Sequence, residues 1–164
     1  MKVLIACEYS GIVRDAFLAN GHDAISCDLL PTDAPGPHYQ GDVFDLDFSG
    51  YDLMIAHPPC TRLANSGVRW LHERNLWDEL DEAVEFYQNI RNIPIEKKCI
   101  ENPIMHKYAR ERIGEIERQV VQPHWFGEYT FKATGYELFG LPQLKRTHFL
   151  EEPKPGTEEH KKWS

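Results

Sequence analysis

The amino-acid sequence predicts an α/β protein built on a mostly parallel sheet with helices on both faces. Short runs that are apolar for most of their length, Lys2 to Ala6, Leu53 to Ala56 and Lys97 to Ile100, alternate with segments of helical periodicity, as strands joined through helices do. Each run stops at residues that do not prolong it: a Glu-Tyr-Ser-Gly turn, the pair Pro58-Pro59, and Asn102-Pro103. In an open sheet of this kind ligands bind beyond the carboxyl ends of the strands, so chemistry is expected just past these stops.

With 164 residues, 41% of them apolar and 27% charged, the chain is sized for one domain with a substantial core. Residues 1 to 150 are expected to form that domain, and 151 to 164, rich in Pro, Lys, Gly and Glu, a frayed tail. No apolar stretch approaches the roughly 20 residues of a membrane span, and Met1 to Ala6 is too short for the apolar region of a signal peptide. A cytoplasmic protein is expected. Cys7, Cys27, Cys60 and Cys99 show no paired spacing, which argues against a disulfide framework or a CxxC metal site. The net charge of −8 argues against a broad grip on duplex DNA, because lysine and arginine carry phosphate binding. A nucleic-acid role would need a local basic patch or a partner.

The first strand leads through Cys7, Glu8, Tyr9, Ser10 and Gly11 into a helical pattern marked by Ile12, Ala16, Leu18 and Ala19. Asn20-Gly21 closes that helix, and His22 to Cys27 returns as a second strand with Asp28 at its tip. In Rossmann-type sheets an acid at this tip, about twenty residues after the glycine turn, holds ribose hydroxyls. Gly11 and Asp28 fit that distance, although a glycine at any strand-to-helix turn does the same structural job. Leu30 to Gln40 is dense in breakers and reads as a loop over the surface or a pocket mouth. Gly41 to Asp45 is expected as a short third strand or turn, with Asp42 either an acceptor for an adenine amino group or simply a turn residue.

Past Leu53 to Ala56 come His57, the two prolines and Cys60, the candidate nucleophile; the alternative is a small buried apolar residue, the commoner fate of a free cysteine. Thr61 to Gly67, with Arg62 and Asn65, is polar and expected to be a mobile loop able to close over a substrate. Arg69, His72, Glu73 and Arg74 lead into the longest helical pattern, where Leu76, Leu80, Ala83, Val84 and Tyr87 line one face. At the end of the next strand, Glu101 is expected to project into the same crevice as Cys60, the following Asn-Pro ending the ladder. Beyond lie a charged helix from about Met105 to Glu117, a strand ending at Pro123, and strand candidates around Phe131 to Tyr136 and Thr147 to Leu150. Gly140-Leu141-Pro142-Gln143-Leu144-Lys145-Arg146 stands between the last two.

Pro59-Cys60, Glu101-Asn102 and Gly140-Leu141-Pro142-Gln143 followed by Lys145-Arg146, in that order and on strand ends, resemble the cytosine-5 DNA methyltransferases. The resemblance runs over about residues 3 to 150 and is greatest to the small versions of that family in phages and prophages. The family has a Pro-Cys nucleophile loop, a Glu-Asn-Val acid, a Gly-x-Pro-Gln-x-Arg-x-Arg segment, and a Phe-x-Gly-x-Gly turn for S-adenosylmethionine. Here Val13 and Arg14 follow Gly11 in place of the family's further glycines, Pro103 replaces the valine, and Lys145-Arg146-Thr147-His148 meets the two-arginine pattern only in part. Little chain follows, so no target-recognition domain is expected within it and a separate partner would have to supply that function.

The resemblance implies a Rossmann-like methyltransferase fold and a single methyltransferase-like catalytic domain. It implies S-adenosylmethionine held by Cys7, Glu8, Tyr9, Ser10, Gly11, Asp28, Leu29, Asp42, Val43 and Pro58, and DNA or a cytosine nucleotide as substrate. In its chemistry a Cys60 thiolate adds to carbon 6 of cytosine and so makes carbon 5 nucleophilic. Glu101, at least partly protonated, neutralises the charge at ring nitrogen 3. Arg62 and Arg146, with Lys145, would assist at the base edge or phosphate, although for each a plain surface charge is the ordinary reading. Two other readings stay open: a binding protein that keeps the fold without catalysis, with the altered glycine turn in its favour, and a metal hydrolase using His57 and Cys60 with His106 or His124. The stiff His-Pro-Pro-Cys spacing counts against the latter, and no metal is expected.

Overall fold

In the computed structural model, which describes residues 1–114 and 116–164, strand and helix alternate from the first residues. β1 (Lys2–Ala6) runs into α1 (Ile12–Ala19), β2 (Asp23–Asp28) and the short β3 (His38–Gln40). β4 (Leu53–Ala56) is followed by α2 (Val68–Arg74), α3 (Trp77–Asn92) and β5 (Lys98–Pro103). Then come α4 (Lys107–Ile113), β6 (Gln119–Val121), β7 (Thr134–Phe139) and α5 (Glu158–Trp163). The strands form one seven-stranded sheet in the order β3-β2-β1-β4-β5-β7-β6. From β3 to β5 neighbouring strands are parallel, and β7 runs antiparallel to both β5 and β6.

β1 lies inside this order and its side chains divide by the two-residue period of a strand. Val3 and Ile5 join Ala24 and Leu53 beneath Val13, Phe17 and Leu18 of α1. Leu4 and Ala6 join Met54 and Ile100 on the other face, under α3 and α4. The expected α/β class, with helices on both faces, is therefore what forms. No described helix is long and apolar enough to cross a membrane.

Several elements differ from the sequence reading, each for a local reason. The third strand is His38–Gln40, inside the expected loop, while Val43–Asp45 is a 3-10 turn capped by the side chain of Asp42. α2 and α3 are separate because Asn75 takes a left-handed conformation, φ 52°. β5 does not stop at Glu101: its ladder with β4 ends at Ile100, but its pairing with β7 continues to Pro103 opposite Thr134. The segment after Cys60 is tied down, with Leu63 and Ala64 buried and Ala64 bridged to Met105. One strand, β7, replaces the two candidates late in the chain, and Thr147 and His148 instead donate their N–H groups to the Trp125 carbonyl. Because β7 runs antiparallel, Gly140 follows its last residue beside the amino end of β5, the opposite end of the parallel strands from Cys60. α4 ends at Ile113, with residue 115 of the expected helix outside the described residues. Residues 158 to 163 are helical, and Trp163, 4% exposed, packs on Tyr129 and Phe131. The frayed tail thus contributes a side chain to the packing.

Candidate functional site

The turn after β1 is held by charge and by an unusual backbone. Cys7 takes φ 59°, a left-handed conformation that strains any residue with a Cβ and recurs at functional sites. Glu8, buried, turns its carboxylate onto the start of α1, accepting from the N–H of Val13 at 2.7 Å, from that of Arg14 at 3.2 Å, and from the Ser10 hydroxyl. A helix start of this kind would otherwise attract a phosphate. With the Glu8 carboxylate in place, the turn disfavours a phosphate-bearing cofactor and remains compatible with one that has none.

Arg14 follows in the first turn of α1. Its side chain is fully buried, and its guanidinium donates to Asp15, Ser26, Thr32 and the Ala34 carbonyl. A Cβ on Gly11 would stand 2.4 Å from that guanidinium, and Gly11 itself has φ 77°. Arg14 therefore holds the proline-rich loop against the sheet beside the turn.

Next to the turn opens a cavity of about 330 Å³. Cys7, Asp28, Leu29, Asp42 and Val43 of the expected cofactor residues line it, joined by Cys27, Gly41, Pro59 and Phe86. Glu8, Tyr9, Ser10, Gly11 and Pro58 are not among its walls: Glu8 and Ser10 are engaged at the helix start, and the Pro58 carbonyl accepts from Asn102. Asp28 and Asp42 each turn one oxygen to a local N–H, of Leu30 and Phe44. Burial pushes the thiols of Cys7 and Cys27 up to about 12, so both are neutral walls near neutral pH. Phe86 had no local signal, since it sits on α3 among residues whose period reads as core. A wider groove of about 1030 Å³ between α4 and β6, bordered by Ile104, Lys107, Arg110 and Val120, holds none of the expected residues.

Of the two expected catalytic groups, Cys60 follows the end of β4, and Glu101 stands within β5, one residue past its last pair with β4. Ala56 pairs with Ile100, so His57 follows beside Glu101. His57 Nδ1 lies 2.7 Å from Glu101 Oε2. Asn102 donates to the Pro58 carbonyl, His106 donates its N–H to Leu63, and the Arg62 carbonyl lies 2.7 Å from the His106 ring. These bonds join the Cys60 loop to the chain that continues β5. Cys60 is half-buried, whereas burial pushes the Cys99 thiol up to about 11.

Glu101 departs from the expectation of a partly protonated acid. The hydrogen bond from His57 holds its carboxyl below the usual carboxylate range, the charges of His57 and Lys132 act in the same direction, and burial opposes them. The two arginines are engaged elsewhere. Arg62 pairs with Glu79 on α3 at 2.7 Å, and Arg146 donates to the carbonyls of His148 and Leu150 within its own loop. The histidines of the metal reading do not converge either: His106 caps α4 through Nδ1, and His124 bonds Glu152. Among the described residues no group of three His, Cys, Asp or Glu is placed to hold a metal ion.

No family model matches the chain, and no curated protein matches it in sequence. Its architecture is nevertheless shared by solved methyltransferases. The Entamoeba histolytica methyltransferase EhMeth superposes with a TM-score of 0.57 at 13% identity, covering 89% of this chain and 56% of that one. A prophage-encoded protein from E. coli, described as a DNA modification methyltransferase, superposes with a TM-score of 0.50 at 15% identity, covering 83% and 45%. The chain has a Rossmann-like methyltransferase fold. It spans about half the length of these two structures, and at such identity the likeness speaks for the fold alone.

Proposed function

We propose that the chain transfers a methyl group from S-adenosylmethionine to carbon 5 of cytosine, in DNA or in a nucleotide, through a covalent adduct on Cys60. The observation that carries this reading is that Pro59 forms part of the cavity wall and Cys60 is the next residue in the chain. The cavity suits such a cofactor in its chemistry. Leu29, Val43 and Phe86 offer apolar surface to a flat base, Asp28 a carboxylate oxygen to ribose hydroxyls, and the helix start beside it is closed to phosphate. When bound, S-adenosylmethionine supplies an electrophilic methyl on a sulfonium centre.

The chain's own residues carry the remaining steps. Cys60, as thiolate, adds to carbon 6 and the displaced electron pair moves into the ring, which turns carbon 5 into a nucleophile. Glu101 meets the base edge with the oxygen that His57 does not hold. Once carbon 5 carries the methyl group, loss of its proton to water expels the thiolate and restores the ring. A target within duplex DNA must first leave the stack, at roughly a few kcal/mol, which a single strand or a nucleotide avoids.

A DNA substrate is supported by what the prophage protein is described as modifying. The altered first turn favours a second reading, a binding protein that keeps the fold without catalysis. An oligonucleotide carrying 5-fluorocytosine separates the two, because fluorine cannot leave as a proton does and the adduct persists. The proposal expects a denaturation-stable complex that requires S-adenosylmethionine and is lost in Cys60→Ser; its absence, with cofactor binding intact, favours the binding protein.

A further inference from the structure

We propose that His57 is a positioning residue for the site, holding Glu101 as an ionised carboxylate with one oxygen tied to the end of β4 and the other left for the substrate. The inference deepens the proposed function and rests on it for its place in the reaction. The resemblance assigns His57 no role there.

The geometry is set by the sheet rather than by side-chain freedom. The last pair of the parallel ladder, Ala56 with Ile100, leaves His57 and Glu101 as the next residue on each side. The His57 N–H donates to the Ala6 carbonyl at 3.0 Å, and the proline that follows restricts His57 to extended backbone. Its imidazole is therefore delivered to β5 by three strands at once, 2.7 Å from the carboxylate.

Proton accounting then assigns the ring. An ionised carboxylate only accepts, so the nitrogen that touches it, Nδ1, is the one that carries hydrogen. Nε2 is buried and has no partner among the described residues. Whatever Nε2 carries, the bond to the carboxylate keeps hydrogen on Nδ1.

The other groups near Glu101 leave this assignment standing. Burial chiefly, with Glu101 adding to it, pushes Tyr136 on β7 up to about 12 and Cys99 on β5 up to about 11, so both stay neutral across the physiological range. The cation of Lys132 favours the ionised carboxylate as His57 does. The resting site thus stores no proton on Glu101, and any proton that reaches ring nitrogen 3 through it must arrive during the reaction.

The test uses the full chain, isotopically labelled, with neither cofactor nor substrate, so its result stands apart from that of any methyl-transfer assay. The Glu101 carboxyl signal is assigned by its loss in Glu101→Gln and followed against pH by NMR. His57→Phe is expected to raise the Glu101 midpoint by about one unit or more, the scale on which a close partner moves a carboxylate. His57→Asn, whose side-chain amide nitrogen can stand near the place of Nδ1, is expected to raise it less. An unmoved midpoint in folded His57→Phe overturns the proposal. If that variant does not fold, the imidazole nitrogens of the unaltered protein decide: hydrogen on Nδ1 supports the proposal and hydrogen on Nε2 alone overturns it.

Discussion

His57 and Glu101, forty-four positions apart in the chain, meet at 2.7 Å just past the last pair of β4 with β5. The bond makes a prediction about acid stability. Glu101 is held below the usual range when folded, while in the unfolded chain a glutamate titrates near about 4.3. A depressed folded value contributes stability above the unfolded one and loses it as pH falls through the folded one. The thermal midpoints of the wild type and Glu101→Gln should therefore differ most at neutral pH and converge below about pH 4. Curves that stay parallel from pH 7 to pH 3 would contradict the bond.

The cysteines should separate sharply in reactivity. Burial raises Cys7 and Cys27 to about 12 and Cys99 to about 11, and thiols so high are neither thiolates nor nucleophiles near neutral pH. Under native conditions iodoacetamide should modify Cys60 first, and Cys60→Ser should remove the fast phase. Peptide mass mapping reads this directly, and fast labelling of Cys7 or Cys27 would show that the cavity wall is more open than described.

Two glycines with similar backbone but different surroundings make a matched pair. Gly11 and Gly21 have φ 77° and 79°, yet a Cβ at Gly11 would press on the Arg14 guanidinium and one at Gly21 meets nothing within 4 Å. Gly21→Ala should cost about 1–2 kcal/mol, the strain of a left-handed alanine. Gly11→Ala should cost about 1–3 kcal/mol beyond that, from overpacking against a buried group. Equal costs in urea unfolding would mean that Arg14 yields freely and does not fix the turn.

Trp163 tests whether the end of the chain belongs to the domain. It packs on Tyr129 and Phe131, and its carbonyl accepts from the Thr130 hydroxyl. Trp163→Ala should lower stability by about 3 kcal/mol, as for other buried aromatics. A change under about 0.5 kcal/mol, the ordinary surface range, would return the segment to the status of a tail.

The sequence makes the inner sheet legible because parallel strands buried on both faces read as apolar runs, as Lys2 to Ala6 and Leu53 to Ala56 do. The outer elements are harder. β3 is a three-residue edge strand of His, Tyr and Gln inside a proline-rich loop, with no apolar pattern to mark it. Pro103 reads as a stop, yet pairing continues because β7 approaches from the other side of β5. Most cavity walls are foreseeable from strand tips, but Phe86 comes from a helix whose period signals only core. His57 carries a signal that reads as a metal ligand, and only the register of two strands shows its partner to be Glu101.

The most direct test of the account is transfer of a radiolabelled methyl group from S-adenosylmethionine to duplex DNA, single-stranded DNA, RNA and cytidine nucleotides, with Cys60→Ser in parallel. The account predicts label at carbon 5 of cytosine on at least one substrate, and none with the variant. Label that persists in Cys60→Ser, or none on any substrate from folded protein that binds the cofactor, would contradict it.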